Sequence, residues 1–422
     1  MAESGNRIPT GGTGDHRLGT VRGTGGPGAF RRIVFRETRS NRYSLNWLAG
    51  VAAAAGVPWR IAATSKALIQ AASGRGPVLV GYSFMTPDLE GVAREVAELK
   101  PRTPQALWVA GGAHPTADPE GTLALGFDHV FVGEADRTFP AFLIEGDGPR
   151  AIRDPEGGPP ALDPYPCFAP ERPGPVEITR GCGARCGYCA VGRRRVRHRA
   201  PGTVERWVRH LVGTGRRLIR FITPDALGYG SGLEDVEELL ARVRAAGGQP
   251  VLGAFPSEVR PERVTRDAVR LLGRYCHNRV LVIGAQSGSP RVLQRIRRGH
   301  TVEHVLEAAR AARTGGFLPH VDLIFGLPGE TPEDQRATVE LARRLIREWG
   351  ARIHAHYFLP LPGTPLWGHA PAPLYPETRH FLEQASSGGA LDGQWREQRA
   401  LAARIRRWAH AGWIRCVGRD DT

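Results

Sequence analysis

Hydrophobic and polar positions alternate along this chain in two rhythms. From Ile33 onward, short apolar runs at Ile33–Phe35, Trp59–Ala63, Val78–Tyr82, Leu107–Ala110 and Val130–Val132 are separated by segments with helical spacing. In one of these, Leu89, Val92, Val96 and Leu99 recur on a single helical face. Strand–helix alternation of this kind predicts a doubly wound parallel sheet over residues 30–146, with ligands bound beyond the carboxyl ends of its strands.

From Val176 the alternation resumes at a longer period. Strands are predicted at Val176–Thr179, Leu218–Ile222, Val251–Phe255, Val280–Gly284, Val321–Phe325 and Ile353–Phe358. Between them run the apolar stripes Leu233/Val236/Leu239/Leu240/Val243, Val302/Val305/Leu306/Ala309 and Leu341/Leu345/Trp349. Thr331-Pro-Glu-Asp334 reads as a helix start, with Thr as cap and Pro in the first turn. Six βα units predict a partial (β/α)6 TIM-like barrel over residues 176–368, whose chemistry belongs at the strands' carboxyl ends.

Punctuation supplies the other boundaries. Residues 1–29 are Gly-, Thr- and Arg-rich without apolar period and are expected to be disordered. Residues 147–175, with Pro155, Gly157, Gly158, Pro159 and Pro160, read as a linker. Residues 369–422 are expected to form a helical extension, with Leu401, Ile405 and Trp408 at helical spacing. The hydrophobic content of 41% over 422 residues supports more than one core. No apolar run is long enough to span a membrane, and the N-terminus lacks the apolar stretch of a secretory signal.

The net charge of +15 raises the question of an anionic partner. Arg is spread through the chain, and its densest run, Arg193, Arg194, Arg195, Arg197 and Arg199, reads either as a solvated face or as a basic rim that steers an anion. Six cysteines with three of them clustered are not a disulfide framework, and a reducing, cytoplasmic setting is expected.

Those three, Cys182, Cys186 and Cys189, stand at spacing Cys-x3-Cys-x2-Cys directly after the strand at Val176–Thr179. Thiolates hold iron–sulfur clusters or zinc, but a closed zinc site takes four ligands. Three thiolates on a four-iron cluster leave one iron open. With Tyr188 before the last cysteine, the stretch Glu177–Cys189 resembles the cluster loop of the radical S-adenosylmethionine (SAM) superfamily. The resemblance implies that Cys182, Cys186 and Cys189 hold a 4Fe-4S cluster, to which S-adenosyl-L-methionine binds. It also implies SAM contacts at Tyr188, Ser257, Glu258, Gln286, Ser287 and Gly326; Gln286 stands where many relatives have Glu. Asp225 and Tyr229 are candidates for substrate or cobalamin contacts.

Residues 33–145 resemble the cobalamin-binding domain, of Rossmann or flavodoxin type, that precedes the radical SAM domain in many superfamily members. Small and hydroxyl residues end its strands: Ser83 and Thr86, then Gly111, Gly112 and His114, then Gly133 and Glu134. These are the candidate cobalamin contacts. The Asp-x-His-x-x-Gly motif that supplies a lower cobalt ligand in many such domains does not occur. A lower face without a His ligand is therefore expected.

The resemblance implies reductive cleavage of SAM to a 5′-deoxyadenosyl radical, with methylation of an unactivated carbon as one outcome. A small-molecule or peptide substrate and an external one-electron reductant are the expected partners, rather than nucleic acid or membrane. Two alternatives stay open: a radical SAM enzyme whose N-terminal domain binds no cobalamin and serves as a platform, and a basic RNA-binding or RNA-modifying protein.

Overall fold

The computed structural model describes residues 29–74, 76–156, 160–191 and 194–416. The expected disordered tail lies outside them but for Ala29, as do Arg193 of the basic run and Gly157, Gly158 and Pro159 of the linker.

The N-terminal sheet has six parallel strands: β1 (Arg32–Arg36), β2 (Trp59–Ala62), β3 (Val78–Ser83), β4 (Ala106–Gly111), β5 (His129–Val132) and β6 (Ala151–Arg153). Their order is β2-β1-β3-β4-β5-β6, so the winding reverses between β1 and β3, where a doubly wound sheet opens a ligand crevice. Successive residues serve opposite faces. Val34, Val80 and Trp108 pack with Leu89, Val92, Val96 and Leu99 of the helix Leu89–Leu99, while Ile33, Phe35, Leu79 and Val109 pack with the helices on the other side.

The linker is more structured than its composition suggests. It contributes β6 to the sheet and then runs across the helix Arg42–Ala54. A Cβ on Gly50 would stand 2.8 Å from the Phe168 carbonyl carbon, so glycine permits this approach.

The second unit contains β7 (Val176–Glu177), β8 (Thr179–Cys182), β9 (Arg194–His198), β10 (Leu218–Ile222), β11 (Gln249–Val251), β12 (Val280–Gln286), β13 (Leu318–Phe325), β14 (Arg352–Tyr357) and β15 (Leu391–Asp392). Parallel β7-β10-β11 and parallel β12-β13-β14-β15 are joined by a bridge between Val259 and Ile283, giving an open, partial barrel. Its core carries the apolar stripes read from the sequence, and the Thr331–Asp334 capping box starts the helix Pro332–Trp349 as expected. The third strand lies at Gln249–Val251 rather than Val251–Phe255, and two further features differ from the expectation. The first strand breaks at Ile178, and the chain continues as the antiparallel hairpin β8–β9; β15 adds a seventh parallel strand.

The C-terminal helix, Trp395–His410, does not pack only on the barrel. Leu401, Ile405 and Trp408 complete the core of the N-terminal unit, and Arg404 lies 3.8 Å from Glu90. No helix among the described residues is long and apolar enough to cross a membrane.

Candidate active site

The hairpin β8–β9 places the cysteines. Its register shifts between Arg180 and Cys182, around Gly181 at φ 83°. A Cβ there would meet the Arg195 carbonyl oxygen at 2.1 Å, so only glycine lets the two strands close. Cys186 and Cys189 share a tight turn, the Cys189 N–H donating to the Cys186 carbonyl at 3.2 Å. The loop is tied down by Gly187, whose N–H donates to Ile296 O at 2.9 Å and whose carbonyl accepts from Leu366 N–H at 3.0 Å. Tyr188 packs beneath it on Val292, Leu293, Ile296, Leu327, Phe358 and Leu366.

None of the three is in a disulfide, and all line one cavity of about 320 Å³ at the carboxyl ends of the barrel strands. Arg298, 8% exposed, approaches Cys186 Sγ to 3.6 Å through Nη1 and donates from Nη2 to Gly284 O at 2.6 Å. A Cβ on Gly284 would stand 2.8 Å from Nη2, so this glycine makes room for the guanidinium. The buried cation balances thiolate charge and offers a partner for a carboxylate entering the cavity.

Glu258, Gln286 and Asp322 form the facing wall with His356 and Tyr357. Gln286 sits at φ 72°, where a bulge between β12 and β13 turns its side chain. A side chain held in this left-handed region is strained, and such strain concentrates at functional sites. Asp322 is buried and its Oδ1 makes no hydrogen bond, with His354 Nδ1 3.7 Å away. Burial, and then the charge of Glu258, hold Asp322 well above the usual carboxylate range. Burial also pushes Glu258 up, against the pull of Arg298 and His354.

The sequence model of the radical SAM superfamily matches residues 176–342, which contain this cysteine loop and the strands from β7 to β13. Over those residues the chain is a radical SAM domain. The model of the B12-binding domain matches residues 39–143, so the radical SAM barrel is preceded by a B12-binding domain. Among relatives, the chain is 27% identical to an uncharacterised protein of Methanopyrus kandleri, over 70% of this chain and 68% of that protein. It is 30% identical to a tRNA-2-methylthio-N(6)-dimethylallyladenosine synthase of Sulfurihydrogenibium sp., over 45% of this chain and 44% of that one. It thus spans less than half the length of that tRNA-modifying relative. Among solved structures it shares the fold of the radical SAM methyltransferase TsrM from Kitasatospora setae, with a TM-score of 0.62 and 17% identity over 80% of this chain and 74% of that one.

Of the SAM contacts expected from the sequence, Tyr188, Glu258 and Gln286 line the radical SAM cavity with the three cysteines. Ser257, Ser287 and Gly326 do not. Ser257 is fully buried and its Oγ donates to Ala254 O at 2.9 Å. Ser287 is equally buried against Thr338 Oγ1 at 3.1 Å. Gly326, at φ 77°, gives its N–H to Glu330 Oε2 at 2.8 Å, and a Cβ there would meet the Tyr357 ring at 2.4 Å. These three shape the wall from behind. Asp225 is paired with Arg263 at 2.8 Å, and the buried Tyr229 hydroxyl donates to Arg199 O at 2.6 Å. Arg298, Asp322, His356 and Gln398 were not singled out from the sequence. The one local signal among them was His354-x-His356, two like side chains on one face of a strand.

In the B12-binding domain, several expected contacts are already engaged. Ser83 Oγ bonds Ser44 at 3.0 Å, and Thr86 Oγ1 lies 3.1 Å from His114 Nδ1. His114 is 1% exposed, and burial pushes its pKa down to about 4; its Nε2 is buried without a partner and reaches no surface. Glu134 is held by Arg197 at 2.6 and 2.8 Å and by Arg180 at 3.2 Å, which makes it a clamp to the barrel. The carboxyl edge that remains is Gly111, Gly112 and Gly133, with Met85 42% exposed beside them. Gly133 has open space where a Cβ would stand. An edge of bare peptide and one apolar side chain fits a broad, flat cofactor laid against the backbone, with no histidine presented to its metal.

Proposed function

We propose that this radical SAM enzyme is cobalamin-dependent and methylates an unactivated carbon of a small-molecule or peptide substrate. The observation that carries the reading is a single chain in which a B12-binding domain precedes a cavity lined by three clustered cysteines, none of them in a disulfide. The fold neighbour TsrM, described with cobalamin and a [4Fe-4S] cluster bound and as a methyltransferase, supports it. When bound, the cluster supplies one electron to break a carbon–sulfur bond of SAM, and cobalamin supplies a transferable methyl group.

The chain's own residues hold and orient. Cys182, Cys186 and Cys189 hold the cluster; Arg298 pairs the carboxylate of SAM; Glu258 and Gln286 take its amino and hydroxyl groups. Met85, Gly111, Gly112 and Gly133 support the corrin. Apolar Leu359 and Leu361 keep water from the cavity. An external one-electron reductant is required, and cysteines without a disulfide among the described residues suit a reducing compartment, the cytoplasm.

The test is anaerobic reconstitution with iron, sulfide and hydroxocobalamin. About four irons and about one cobalt per chain are expected, with the iron lost when all three cysteines become Ala. Iron without cobalt would return the N-terminal domain to a platform role. RNA as substrate is a second reading, supported by the tRNA-modifying relative and the charge of +15. Salt-dependent retention of tRNA would favour it.

A further inference from the structure

His354 and His356 stand two residues apart on β14, so both rings leave the same face of the strand. The rings stack with centroids 4.5 Å apart. With the Asp322 carboxylate they bring three potential ligand atoms within 4.8 Å of one another. By donor type this is a two-histidine, one-carboxylate set of the kind that holds iron or zinc.

A residue from outside the barrel argues otherwise. Gln398, on the C-terminal helix, accepts the Tyr357 N–H on Oε1 at 2.8 Å. This contact orients the amide, so that its Nε2 faces His356 Nδ1 at 3.2 Å. An amide NH2 donates and does not accept. His356 Nδ1 is therefore the acceptor, and the neutral ring carries its proton on Nε2. A metal-bound histidine needs the reverse: a bare ligating nitrogen, with the other nitrogen donating to a carboxylate or carbonyl. Burial, with the neighbouring His354, pushes the His356 pKa down to about 4, so the ring stays neutral. The groups around it are His354, Asp322, Asp392 and Glu258; Asp392 lies 4.0 Å from His354.

We infer that His356 is a neutral hydrogen-bond donor in the cavity wall, held in one tautomer by Gln398, and that it recognises an acceptor oxygen or nitrogen on a molecule bound there. The inference rests on the radical SAM reading of the cavity and not on methyl transfer. Gln398 is a positioning residue. Its helix fills the core of the B12-binding domain with Leu401, Ile405 and Trp408, so the donor is set by the element that joins the two units.

The test is ¹⁵N NMR of the reconstituted full chain, with His356 assigned by its loss in His356→Gln. From about pH 6 to about pH 8, a protonated Nε2 and a bare Nδ1 are expected. Gln398→Glu keeps an acceptor for Tyr357 but offers His356 a carboxylate. It should move the proton to Nδ1 and bring the titration back toward 6.5; a merely structural Gln398 predicts no change of tautomer. SAM itself is the binding probe. His356→Phe should leave its affinity within about twofold, which places the acceptor on the co-substrate; a loss of about 3- to 10-fold would place it on SAM. A wild-type ring protonated on Nδ1, or zinc or iron beyond the cluster that is lost in His356→Gln, overturns the assignment. Cobalt content does not enter these readouts, so failure of the methyltransferase reading is told apart from failure of this one.

Discussion

Glu330 shows how a single buried carboxyl couples this barrel to pH. Its Oε2 accepts from Gly326 N–H and from Gln335 Nε2, while Oε1 is buried without a partner. Burial raises its pKa from 4.5 to about 7. A folded value above the unfolded one means that the folded chain holds the extra proton between those two pH values. Stability is then full below about pH 4.5 and falls as pH rises to about 7, by up to about 3 kcal/mol. Glu330→Gln keeps an acceptor for both donors, and its NH2 needs no ionisation. Denaturant unfolding of this variant should lack the decline between pH 5 and pH 7 expected of wild type; the same slope in both would mean that Glu330 does not set it. The same scale shows why some site residues were legible and others were not. Cys182, Cys186, Tyr188 and Cys189 are close in sequence, so their spacing carries their chemistry. Arg298 is one arginine in a chain rich in them, and its meaning comes from burial beside Cys186, 112 residues away.

At the scale of elements, strands that carry their own apolar run were legible, and those without one were not. β6 and β15 have three and two residues, and each exists by pairing with a longer neighbour. The C-terminal helix was legible as a helix, but its partner was not, since an apolar stripe does not say which core it enters. Ile405 is fully buried in the core of the B12-binding domain. Ile405→Ala should cost about 2–4 kcal/mol, and hydrogen exchange should quicken first in the helix Leu89–Leu99, which shares that core. Quickening confined to the barrel helices would show that the C-terminal helix does not support the N-terminal unit.

At the scale of the whole molecule, the basic run after the cysteines divides into two roles. Arg194 and Arg195 are exposed, as the reading of a solvated face expects. Arg197 and Arg199 instead turn inward with Arg180. Arg199, with no exposed surface, donates to Leu162 O at 2.6 Å and Tyr165 O at 2.8 Å, and so pins the linker. Arg180 meets Glu177 at 2.8 Å through both Nε and Nη2, and Asp136 at 2.5 Å. Arg180→Met leaves Asp136 buried and uncompensated, while Glu177 keeps only Arg199 at 3.4 Å, which should cost about 3–5 kcal/mol. Adding Asp136→Asn should recover part of that loss, a non-additive cycle. Strict additivity would show that the two residues do not act as a pair.

By itself the sequence determined the two α/β units, the open barrel and the three-cysteine loop. These depend on periodicity and short spacing, which are properties of neighbouring residues. Tertiary structure alone decided which polar groups share the cavity. It turned Ser257 and Ser287 into the wall, spent Glu134 on a clamp, and brought Arg298, Asp322 and His356 together. It also carried Gln398 from the far end of the chain to set the proton on a histidine. Such outcomes depend on burial and on partners distant in sequence, and no local pattern encodes them.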